Sequence, residues 1–183
     1  MQSLDNIKQE ILDTLKNSPL DFEATHAQLV HKWVLILKPD ADESLQIAAL
    51  SHDIDRAITG ITEKDLKDYT KIDEFKQEHA KRSAKFISEI LEKHKYPKTV
   101  IQKVKLLVEG HEVGGNEEIN ILRDADSVAY FEYNIPSYMK RNGYERTKEK
   151  IRWMFVRMSP EAKVMIKDLD YSDPEIKSII DEL

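Results

Sequence analysis

Residues 46–56 read QIAALSHDIDR. An apolar run from Ile47 to Leu50 leads directly into the adjacent pair His52–Asp53, and Arg56 follows. The stretch reads as part of one helix over about 42–58, ended by Gly60. Adjacent side chains on a helix diverge by about 100°. One metal ion can therefore accept both ligands only across the helix end or from between their two directions. A His-Asp dipeptide means little alone, but His26 precedes this one by 26 residues, and His79, His111 and Asp126 follow.

Outward from that helix the rest of the chain also reads as helical. Residues 4–16 place Leu4, Ile7, Ile11, Leu12 and Leu15 on one face. A second helix runs from about 22 to Pro39. Residues 61–72 are polar and irregular, with a short helix expected over the site. Long helices follow over about 73–94, from Pro97 to about 110, and over 117–133, with Gly114-Gly115 as the strongest breaker. Pro136 is expected to interrupt, and a helix over 144–158 comes next. Ser159-Pro160 and Ser172-Asp173-Pro174 each read as a helix start. The fold class is all-α, one domain over residues 1–183, with a core over 22–133 and a helical extension over 134–183.

Composition narrows the chemistry. The 183 residues are 40% hydrophobic and 34% charged, with only 5 Gly and 6 Pro. That suits a globular helical chain long enough to bury a sizeable core. With no cysteine at all, disulfides, thiol catalysis, thiolate zinc and iron–sulfur clusters are excluded. A metal must be held by His, Asp or Glu, which suits Mn, Fe, Ni, Co, Mg or a nitrogen/oxygen zinc site. The net charge of −6 argues against a nucleic-acid partner. No apolar run reaches membrane-spanning length and MQSLDNIKQE is no signal peptide, so a cytoplasmic protein without a membrane partner is expected.

Of the 6 histidines, His31 lies about 140° around the helix from His26, so at most one of the two serves one metal. His94 reads as a solvated helix end that complements the dipole. His26, His52, His79 and His111 remain, on four different helices or helix ends. Asp124 and Asp126 lie inside an otherwise apolar helix, where an acid is costly unless paired or metal-bound. They point about 200° apart, so one faces inward and the other is expected to face solvent; periodicity favours neither.

The order of a histidine, an HD pair and a late Ala-Asp inside a helix resembles the HD-domain superfamily of metal-dependent phosphohydrolases, over about residues 22–133. The resemblance implies an α-helical HD-domain bundle holding one or two divalent metals through His26, His52, Asp53 and Asp126. It places the late aspartate on Asp126, and His79 and His111 where two-metal members carry further ligands. The segment EHAKRSA is similar to small bacterial HD hydrolases that split nucleotide phosphates. The cyclic-dinucleotide subgroup's full pattern is absent. The implied activity is hydrolysis of a small phosphate ester, a nucleotide among the options.

In that chemistry Asp53 ligates metal and orients water, and Glu112 is a candidate base. Arg56 and Arg82, each one helical turn after a proposed ligand, are candidate cations for phosphoryl oxygens, with Lys81 and Arg123 behind them. Catalytic roles are thus expected for Asp53, Arg56, His79, Arg82 and Glu112. The same ligand order also fits HD-type diiron oxygenases, and a non-catalytic ligand-binding module is the third alternative.

Overall fold

The computed structural model describes residues 4–183, so residues 1–3 of the expected domain lie outside the described residues. All regular elements described are helical. Helices α1 (Leu4–Leu15), α2 (Glu23–Leu37), α3 (Glu43–Ser51), α4 (Ile54–Thr59), α5 (Ile72–Lys93) and α6 (Lys98–Gly110) lead to α7 (Glu117–Ala129). Then come α8 (Ile135–Asn142), α9 (Tyr144–Arg157), α10 (Pro160–Lys167) and α11 (Pro174–Asp181). No described helix is long and apolar enough to cross a membrane.

Periodicity explains the packing. In α1, Ile7, Ile11 and Leu15 recur every four residues and are buried, forming one stripe laid across α2, α3 and α4. Helix α5 turns His79, Ala80, Ser83, Ala84, Ile87 and Leu91 inward and runs along α6. Helix α2 lies between α3 and α7, and α3 also packs on α6. Beyond this core, α10 leans on α7 and α11 on α9. Buried apolar residues from Ile7 to Ile180 form one cluster, so the extension shares the core. Each fully buried Ile or Leu contributes about 1.5–3 kcal/mol.

Two expected boundaries are corrected. The helix read over 42–58 is broken at His52–Asp53. Asp53 leaves helical geometry at φ −106°, ψ 13°, and the His52 ring instead bonds the Ala49 carbonyl at 2.9 Å. That carbonyl is one of those a helix end leaves open. The expected interruption at Pro136 is also absent. The chain stays helical through a π turn, Tyr130–Asn134, whose wider winding re-phases the helix before Pro136. The proline then sits in the first turn of α8, where a missing N–H is tolerated.

Candidate metal centre

Four histidines reach one point from two kinds of position. His52 and His111 are the C-cap residues of α3 and α6. Each turns Nδ1 back onto the carbonyl three residues earlier, Ala49 at 2.9 Å and Val108 at 2.7 Å. A carbonyl oxygen only accepts, so Nδ1 carries the proton in both rings and Nε2 keeps its lone pair. His26 and His79 lie within α2 and α5. Their Nδ1 atoms meet side chains instead, the Asn134 amide oxygen at 2.9 Å and the Asp55 carboxylate at 3.0 Å.

All four Nε2 atoms face carboxylates. His26 Nε2 is 3.0 Å from Asp126 Oδ1, and His79 Nε2 is 2.7 Å from Asp53 Oδ1. His52 Nε2 lies 3.6 Å from Asp53 Oδ2 and 3.7 Å from Asp126 Oδ1. His111 Nε2 lies 3.8 Å from Asp53 Oδ1. The break between α3 and α4 is what lets neighbouring His52 and Asp53 point to one side.

Two overlapping groups could hold a metal ion: His26–His52–Asp53 and Asp53–His79–His111, with the ligand atoms of each group within 4.8 Å of one another. Asp53 belongs to both. The donor chemistry fits a cation. His52 Nε2 is buried with no hydrogen-bond partner, its lone pair directed at oxygens that are themselves negative. A buried acceptor facing acceptors is costly unless a cation lies between them. Rings whose Nδ1 protons are pinned by protein acceptors match the way metal-binding histidines are oriented.

The electrostatics fit the same arrangement. Burial opposes ionisation of Asp53, but the Arg56 charge and the His79 hydrogen bond hold its carboxyl well below the usual range. Burial likewise opposes ionisation of Asp126, which the His26 hydrogen bond holds low. For His79, burial and the Arg56 charge push down, yet hydrogen bonds to Asp53 and Asp55 outweigh them and raise it to about 9. Burial pushes His111 down.

The other expected residues divide. Arg56 is buried in the site but committed to carboxylates. It bonds Asp53 directly, Glu63 at 2.6 Å and Glu23 at 3.5 Å. Arg82 lies behind His79, where Nε and Nη2 both bond Asp55 at 2.9 Å, and is not among the residues that line the cavity. Glu112 lies 3.9 Å from His111 Nε2 and pairs with Lys76 at 3.0 Å.

Of the two aspartates, Asp126 faces His26 and His52, while Asp124 is buried where it accepts from the Ser159 amide at 3.2 Å. Neither faces solvent freely, contrary to the expectation, because α10 covers the second one. His31 bonds Gln46 at 3.2 Å, outside the centre. His94, expected to be solvated, pairs with Glu10 of α1.

Sequence reasoning missed Asp55 and Asn134, which orient two ligands, and Glu23, whose burial pushes it up to about 7 against the pull of Arg56. The segment HDIDR carried a faint signal for Asp55, a second acid on a buried turn. Asn134 carried none.

The centre floors a cavity of about 990 Å³. Residues from the 61–72 segment, among them Thr62, Glu63, Lys64, Leu66 and Tyr69, line it as expected. The remaining wall is the extension, with Arg141, Arg146, Lys150 and Arg157. Among known proteins, a family model described as a domain of unknown function (DUF4202) matches residues 2–180. No curated protein and no solved structure matches the chain.

Proposed function

We propose that this chain, which belongs to the DUF4202 family of unknown function, is a metal-dependent phosphohydrolase of HD type acting on a small phosphate ester. The observation that carries the reading is the convergence of four imidazole Nε2 atoms on Asp53 and Asp126, each ring held by its Nδ1. His26, His52, Asp53 and Asp126 would hold one divalent ion, and Asp53, His79 and His111 a second. Such nitrogen and oxygen donors suit Mn, Fe, Ni, Co or Zn better than Mg alone. Bound there, a divalent ion supplies Lewis acidity toward a phosphoryl oxygen and lowers the pKa of water.

The chain's own residues do the rest. Arg56 fixes the Asp53 carboxylate, so the shared ligand is placed before any ion arrives. Glu112, beside His111 and ionised at neutral pH, is positioned to accept a proton from an attacking water. Cations on the cavity wall draw a phosphate toward the floor. The size of the cavity lies within the range for small-molecule pockets, about 300–1,000 Å³.

The test is hydrolysis of a broad phosphoester panel by wild type and Asp53→Asn, with Mn, Co, Ni, Zn or Fe added. Metal-stimulated phosphate release that the variant loses is expected. An oxidised product that requires O2 and bound iron would replace the reading with an oxygenase.

A further inference from the structure

Part of the cavity wall belongs to a helix outside the stretch that resembles HD proteins, and that helix contributes several cations to the lining. On α9, Arg146, Lys150 and Arg157 share one face and line the cavity. None of them pairs with a carboxylate among the described residues, although acids outnumber bases by 34 to 28 in the chain. On the outer face of the same helix, Lys148 and Arg152 both pair with Glu182, at 2.7 and 2.8 Å. Arg157 donates to the Glu112 carbonyl and Arg146 lies over the Tyr69 ring, and Glu149 lines the same cavity, so Lys150 is the cation of the stripe left without a hydrogen bond.

Lys150 is the centre of the stripe. Its Nζ sits 4.5 Å from the Tyr130 ring centroid and 4.4 Å from that of Tyr138, with no hydrogen bond. Next to it, the buried Tyr130 hydroxyl also lacks a partner. Two residues that line the cavity side by side thus each hold a donor with no acceptor. Burial and the nearby Lys76 charge lower the Lys150 ammonium to about 8, still charged at neutral pH. Tyr130 opens the π turn whose last residue, Asn134, holds His26; one irregular turn therefore sets both the metal ligand and this spot. From Arg146 to Arg157 the stripe runs ~16 Å along the axis, longer than a single phosphate needs.

Resting on the phosphohydrolase reading, we infer that Lys150 and the Tyr130 hydroxyl form an anion subsite, extended by Arg146 and Arg157, that binds a further phosphate of a substrate carrying two or more. The cleaved phosphate lies at the histidines and the others along α9. Lys150 is then a specificity residue supplied by the C-terminal helices.

The test uses inorganic tripolyphosphate and orthophosphate, titrated calorimetrically into full-length His52→Ala protein, so that binding is read without the complete metal centre or any turnover. Tripolyphosphate is expected to bind more tightly than orthophosphate. Lys150→Met should weaken it by roughly tenfold or more, the scale of one charged hydrogen bond; Tyr130→Phe should weaken it less, and Lys150→Arg should restore most of it. Lys148→Met, on the outer face, should leave it unchanged. Equal binding of the two anions, or tripolyphosphate binding untouched in a folded Lys150→Met protein, would overturn the subsite. A wild type that takes up no metal and cleaves no ester would sink the hydrolase reading instead, with the anion titration still readable.

Discussion

The two halves of the centre are built to one plan and differ in one respect. Each combines a mid-helix histidine, a helix-capping histidine and the shared Asp53. His26 and His52 form the first half, His79 and His111 the second. In both, the capping ring is held by a backbone carbonyl. The mid-helix rings differ: a neutral amide, Asn134, holds His26, whereas a carboxylate, Asp55, clamped by Arg82, holds His79. A carboxylate behind an imidazole makes it a stronger base. His79 in the second half therefore holds its proton more firmly than an ordinary imidazole, and a metal must displace it.

The largest expected effect removes what the halves share. Asp53→Asn should abolish binding at both and lower phosphoesterase activity by on the order of 10³-fold or more, measured as metal content and phosphate release, with circular dichroism to check the fold. Retention of one full equivalent would show that the halves are independent.

Next come the orienting residues, which separate the halves. Asn134→Ala should weaken metal affinity about 10–100-fold in the first half only, and Asp55→Asn by a similar factor in the second. Calorimetric titration of each variant distinguishes the two affinities. Equal weakening of both sites by either variant would contradict the division.

The pH dependence should be unequal too. His79 is raised from 6.5 to about 9, so affinity of the second half for metal should climb with pH up to about 9. In metal-free protein the sign reverses. A raised histidine stabilises the fold fully below its unfolded pKa of 6.5 and loses that contribution as pH rises through about 9. The melting temperature of metal-free protein should fall across that window, and Asp55→Asn should flatten the fall.

The smallest effect belongs to the aspartate outside both halves. Asp124→Ala should cost about 1 kcal/mol, the scale of a lost helix-end contact, measured by urea denaturation, and leave metal stoichiometry unchanged.

His52, Asp53 and His79 were legible as candidates because a histidine or aspartate beside Ile47–Leu50 or Ala80 is conspicuous, whereas the preference for Asp126 over Asp124 came from the resemblance to HD proteins and not from periodicity. Most helices were legible because apolar residues repeat at helical spacing, but α3 and α4 read as one helix and α8 was not read as a helix. What could not be read was whatever depends on a partner far along the chain. Arg82 follows His79 by one turn and looks free in sequence, yet Asp55 claims it. Asn134 lies 108 positions from His26, and nothing local distinguishes it from a surface amide. The break at His52–Asp53 hides because no Gly or Pro marks it; the imidazole bond to the Ala49 carbonyl, which accompanies it, depends on local geometry. Lys150 looks like any lysine on a charged helix until Tyr130 and Tyr138 close around it.

The measurement that tests the shared centre most directly is elemental analysis of freshly purified wild type beside His52→Ala, His79→Ala and Asp53→Asn. About two equivalents of a first-row divalent metal are expected in wild type, about one in each histidine variant and none in Asp53→Asn. Wild type that purifies without metal and takes up none on titration with Mn, Fe, Co, Ni or Zn would contradict the account.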